Sequence, residues 1–149
     1  MSRIMGLDIG DATIGIALSD ETLTIASPLE NYRRISQKKD VQHLIGLIDA
    51  YNVDTIVAGM PYNMNGSLGP QGEKTKVFLA RLRKKILYGE VSGRTVQIIT
   101  WDERLSTKAA TAALIQGDVS RKDRKLKVDM VAGALILQTY LDHKNGGIT

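Results

Sequence analysis

The chain has 149 residues, 43% of them apolar and 24% charged, with a formal net charge of +4; this is enough for one domain with a proper core, 1–149, of ordinary globular composition. It contains no cysteine, which excludes disulfides, thiolate metal sites and a cysteine nucleophile, and its only histidines, His43 and His143, exclude a multi-histidine zinc site. No apolar run is long enough to span a membrane and the N-terminus lacks a secretory succession, so a cytoplasmic protein is expected.

Residues 3–9 and 14–19 read as a pair of antiparallel strands. Ile4, Met5, Leu7 and Ile9 make a near-continuous apolar run, as in a strand covered on both faces. Asp8 interrupts it. A carboxylate there is costly unless a metal ion, an Arg or backbone N–H groups compensate it, although an Asp at a strand end also caps its own turn. Gly10 and Gly15 flank Asp11-Ala12-Thr13 and permit a sharp reversal. Ala26 to Tyr32 reads as a third strand, and Pro28 near its start suits the sheet edge or the beginning of a strand.

Ser36 can cap a helix from about Gln37 to Tyr51, with Val41, Leu44, Ile45 and Ile48 as its core stripe. Thr55 to Gly59 is a β-branched run that reads as a buried parallel strand. The irregular stretch Met60 to Pro70 follows that strand's carboxyl end. Ligands of open α/β sheets sit there, so the stretch, Asn63 included, is either a binding loop or a long surface connection. Pro70 opens a helix to about Leu87 with Leu79, Leu82 and Ile86 inward. Lys74, Lys76, Arg81, Arg83, Lys84 and Lys85 cover its outer face, as a solvated or a phosphate-binding surface.

Val96 to Thr100 forms a fifth strand, and Trp101 to Thr107 leaves its carboxyl end. Ser106 or Thr107 can cap an alanine-rich helix to about Gln116, or contact substrate as Arg104 can. Residues 117–127 lack apolar periodicity and carry Arg121, Lys122, Arg124, Lys125 and Lys127. They read as a mobile basic loop that binds phosphate backbone. Val128 to about His143 is the last helix, with Val128, Val131, Ala132 and Leu135 buried and Asp129 in its first turn, where the helix dipole favours an anion. The predicted order, β-β-β-α-β-α-β-α-α, gives an α/β fold with a mixed five-stranded sheet.

Asp8, Glu103 and Asp129 all stand at element ends. Three or four carboxylates are what a pair of Mg²⁺ or Mn²⁺ ions about 3.5–4 Å apart requires for in-line phosphodiester hydrolysis. Each carboxylate also has an ordinary structural explanation: a turn cap, a pair with Arg104 or a lysine, or a helix-dipole charge.

Four pieces, in order, resemble the YqgF (RuvX) family of ribonuclease H-like nucleases, relatives of the RuvC resolvase. They are Leu7-Asp8-Ile9-Gly10 with Ile14 to Asp20, Gly59 to Ser67, Asp102 to Thr107, and Val128-Asp129 with Ala132 and Leu135 to Leu141. The resemblance implies the ribonuclease H-like fold, Mg²⁺ or Mn²⁺ dependence, and a site of Asp8, Glu103 and Asp129. It further implies a cytoplasmic nuclease that matures the 5′ end of pre-16S rRNA, with Holliday-junction or other DNA cleavage as the alternative substrate. After Gly10 the family usually has Thr-Lys-Arg, where this chain has Asp11-Ala12-Thr13. The rival readings are an actin-like phosphotransferase, which shares a strand-Asp-x-Gly motif but needs two such domains, and a nucleic-acid-binding module without turnover. A monomer or weak homodimer is expected.

Overall fold

The computed structural model describes residues 2–90, 95–105 and 121–146, with side-chain surroundings outside 89–90 and 121–130. Five strands, β1 (Arg3–Ile9), β2 (Thr13–Ser19), β3 (Ala26–Arg33), β4 (Val53–Met60) and β5 (Gln97–Asp102), form one sheet in the order β3-β2-β1-β4-β5. β1, β2 and β3 pair antiparallel, while β1–β4 and β4–β5 are parallel. This is the expected mixed sheet. The carboxyl ends of β1, β4 and β5 consequently share one edge.

Alternation along the strands gives the sheet two apolar faces. Met5, Leu7 and Ile9 join Ile14, Ile16 and Leu18 on one face. Against it pack α1 (Gln37–Ala50), through Val41, Leu44, Ile45 and Ile48, and α2 (Pro70–Lys85), through Phe78, Leu79 and Leu82. Ser36 caps α1, its hydroxyl accepting from the Lys39 N–H at 3.2 Å. Pro70 occupies the first turn of α2, where its missing N–H breaks no helical bond. A single π-helical turn, Ile86–Glu90, follows α2. As expected, β3 is an edge strand, and a bulge falls beside Pro28.

The opposite face is covered by α3 (Arg121–Lys144). Ile136, Leu137 and Leu141 are fully buried there with Ile4, Ala17 and Val57. Two expectations are corrected here. Of the expected loop 117–127, residues 121–127 are helix, Arg and Lys being good helix formers, and residues 117–120 lie outside the described residues. Asp129 therefore lies well inside α3, and the first-turn dipole argument does not apply to it. The buried stripe also runs through Ala134, Ile136, Leu137 and Leu141, while Val131 and Leu135 are half-buried. The proposed alanine-rich helix lies outside the described residues. Among those described, no helix is long and apolar enough to cross a membrane.

Candidate active site

On β1, Ile4 and Gly6 face α3, and Asp8 continues that row to the carboxyl edge. Asp8 is half-buried and stands opposite Gly15 of β2. On the other side, Leu7 pairs with Ala58, so Gly59 of β4 comes beside Asp8. Gly59 pairs in turn with Trp101 and Met60 with Asp102. Glu103 leaves the end of β5 with its N–H donating to the Met60 carbonyl at 3.1 Å. Its Oε2 lies 3.3 Å from where a side chain on Gly59 would begin. Asp8 and the Glu103 carboxylate thus share one edge and one face of the sheet.

The helix over this face sits close because glycines meet glycines. A Cβ on Gly133 would stand 2.8 Å from the Gly15 carbonyl oxygen, and one on Gly6 would stand 2.6 Å from the Gly133 oxygen. From this crossing α3 runs toward the amino end of β1. Gln138 accepts from the Ala26 N–H at 2.9 Å, and Asn145 donates to the Leu23 carbonyl at 3.0 Å. Its preceding turns therefore head for the Asp8 edge. Asp129 lies four residues, about one turn, before Gly133 in the chain. Arg121, Lys122, Arg124, Lys125 and Lys127 occupy the two turns before it.

The turn after Asp8 is held from behind by groups the sequence pattern did not single out. Arg34 donates to the Gly10 carbonyl at 2.8 Å through Nη1, and its N–H to the Ala12 carbonyl at 2.9 Å. Gln71 donates to the Ile9 carbonyl at 3.1 Å, and Lys74 pairs with Asp11 at 3.2 Å. Arg34 is fixed by Asp40, its Nε donating at 2.8 Å, and lies over the Phe78 ring. Asp40 is only 1% exposed and also accepts from the Tyr32 hydroxyl and the Ile35 N–H, each at 2.9 Å. Burial pushes its carboxyl up, but the bonds from Ile35, Arg34 and Tyr32 outweigh this and hold it below the ordinary value. The sequence signal was available: Asp40 precedes Leu44 by four residues and so stands on the apolar stripe of α1.

The stretch 61–69 is a hydrogen-bonded loop. Asn63 N–H donates to the Ser67 carbonyl at 2.8 Å and its side chain to the Ser67 hydroxyl at 3.0 Å. Gly66 supplies the reversal with φ of 86°. Arg104 clasps the loop to β5. It pairs with Asp102 at 2.6 Å and donates through Nη1 to the Asn63 and Met64 carbonyls at 3.2 and 3.4 Å. The Arg104 bonds hold the Asp102 carboxyl below its usual range. Arg104 and Asn63 thus shape the rim of the carboxylate edge, with Met64 exposed at its tip. Ser106 and Thr107 lie outside the described residues. His43 stacks on Tyr32 and meets Glu30 at 2.7 Å, and the exposed His143 packs on Trp101.

A family model described as "RuvX: Holliday junction resolvase" matches residues 2–143. A protein of Desulforamulus reducens is 51% identical over 140 residues, 94% of this chain and 96% of its own length. One of Clostridioides difficile is 46% identical over 142 residues, 95% of each. Both bear the name "Putative pre-16S rRNA nuclease". Among solved structures, T. thermophilus RuvC in complex with a Holliday junction substrate aligns with a TM-score of 0.59 and 12% identity, covering 100% of this chain and 99% of that one. The fowlpox virus Holliday junction resolvase aligns with a TM-score of 0.51 and 17% identity over 95% and 99%. At such identities these structures establish a shared ribonuclease H-like fold.

Proposed function

Since the chain belongs to the RuvX family, we propose that it is a nuclease of a single domain that hydrolyses phosphodiester bonds in pre-16S rRNA, in the cytoplasm, with Asp8, Glu103 and Asp129 holding one or two Mg²⁺ or Mn²⁺ ions. The observation that carries this reading is that Asp8 and Glu103, far apart in sequence, come to one edge and one face of the sheet.

The donor set fits such ions. Both carboxylates are hard oxygen ligands, and the chain has no thiol. Held by these carboxylates, such ions would supply the positive charge that phosphodiester hydrolysis needs. The protein's part is placement. β1 and the backbone bond from Glu103 to Met60 fix where two carboxylates stand. Gly59 leaves room for the Glu103 side chain, and the close seat of α3 brings the Asp129 turn toward the same edge. The five cations at 121–127 give the approaching strand its phosphate contacts. Asn63 and Arg104 shape the loop it passes, and Ser106 and Thr107 add polar contacts at the end of β5.

A cleavage assay with matched single-stranded RNA, single-stranded DNA and four-way-junction substrates tests this. Cleavage of RNA with Mg²⁺ or Mn²⁺, absent in EDTA and in Asp8→Asn, is expected. Turnover unchanged in Asp8→Asn would overturn the site, and cutting of the junction in preference to RNA would move the substrate assignment to DNA.

A further inference from the structure

On the other side of the sheet, α1 and the end of α2 enclose an open groove of about 470 Å³. Four cations line it, Lys38 of α1 and Arg81, Lys84 and Lys85 of α2, with Tyr88 at one end and no carboxylate among the lining residues. Tyr88 and its neighbour Leu87 are 75% and 76% exposed, although Ile86 beside them is buried. The π-helical turn that carries them holds two large apolar side chains in water.

Helix electrostatics explain only part of this cluster. Lys84 and Lys85 end α2, where the dipole favours cations. Lys38 opens α1, where the dipole disfavours them, yet it faces the same groove. An anion lying in the groove would meet cations from both walls. An aromatic face between cations is also what a single-stranded polynucleotide uses, phosphates on the charges and a base stacked on the ring. An acidic peptide would match the charges but make no use of the tyrosine face.

The groove is not isolated. Gln37 forms a wall both of it and of a neighbouring cavity of about 530 Å³ that contains Arg34, Lys74 and Asp11. Those residues hold the turn after Asp8. A strand lying between α1 and α2 would therefore lead toward the carboxylate edge from behind.

We infer that the α1–α2 groove is a second binding site for single-stranded nucleic acid, with backbone phosphates on Lys38, Arg81, Lys84 and Lys85 and one base on Tyr88. The site works without turnover, so it is tested apart from the nuclease reading, by fluorescence anisotropy of a short labelled oligouridylate and its DNA counterpart in EDTA. Arg81→Ala with Lys84→Ala should flatten the plot of log affinity against log salt by about 1.4, at about 0.7 for each lost phosphate contact. Tyr88→Ala should weaken binding about ten-fold, and Tyr88→Phe should restore it, because only the ring face is used. Arg81, Lys84 and Tyr88 are all exposed, and an unchanged circular dichroism spectrum checks the fold. An unchanged salt slope in the double variant would overturn the site. Tyr88→Ala binding as tightly as wild type would overturn the stacked base and reduce the groove to a general anion surface.

Discussion

Gly133→Ala sets two known effects against each other. Inside a helix, alanine is favoured over glycine by about 1 kcal/mol. Here the added Cβ would stand 2.8 Å from the carbonyl oxygen and 3.0 Å from the carbonyl carbon of Gly15. Both atoms belong to the backbone of β2, which is paired on both sides, so neither can swing away as a side-chain tip could. Overpacking of this kind costs about 1–3 kcal/mol, more where backbone must shift. The clash should win, with a net loss of about 1–2 kcal/mol. At about 2–4 °C per kcal/mol for a chain of this size, Tm should fall by about 2–8 °C. Gly46→Ala is the control. Gly46 is exposed on α1 with nothing within 4 Å of its added Cβ, so there the propensity gain stands alone and Tm should rise. Thermal unfolding of both variants in EDTA gives the comparison. A Gly133→Ala protein as stable as Gly46→Ala would refute the close seat of α3.

Asp40→Asn removes the charge that holds Arg34 against the turn after Asp8, and should destabilise the fold by about 1.5–3 kcal/mol near neutral pH. Because the folded carboxyl titrates below its unfolded value, its contribution is present above that unfolded value and lost as pH falls through the folded one. Urea unfolding of both proteins should therefore differ near neutrality and converge in acid; a pH-independent gap would refute the assignment. Ala12→Lys with Thr13→Arg adds one cation to an exposed turn residue and one to the half-buried first residue of β2, beside an Asp11 that is paired with Lys74. It should tighten RNA binding, most clearly at low salt, and leave turnover at saturation little changed, as measured by separate binding and rate constants. A strong rise in turnover at unchanged affinity would place those positions in the transition state.

Strand alternation and helix stripes were readable because each reflects a local repeat. Leu44, Ile48 and Leu82 are buried where their spacing puts them. The convergence of Asp8 with Glu103 was readable because both end parallel strands. The start of α3 was not, since a polar helix carries no apolar period. Nor was the role of Arg104, whose partners Asn63 and Met64 are brought to it only by the loop's own turn. Asp40 shows a further limit. Its position on an apolar stripe is visible in sequence, but its satisfaction requires Tyr32 and Arg34 from the preceding strand and connection.

The late position of α3 in the chain sets when the second face of the sheet is covered. During synthesis β1, β2 and β3 can pair as local hairpins, and β4 and β5 can add beside them. Among the described residues, the face with Ile4, Ala17 and Val57 is covered by α3, which cannot dock before residues 121–144 have emerged. On the reading proposed above, the same helix delivers the third carboxylate. Until α3 docks, Asp8 and Glu103 would then stand without that partner. Such closing contacts, formed between distant parts of the chain, are also the slow ones in folding. Competence would arrive late and all at once, with the docking of one helix.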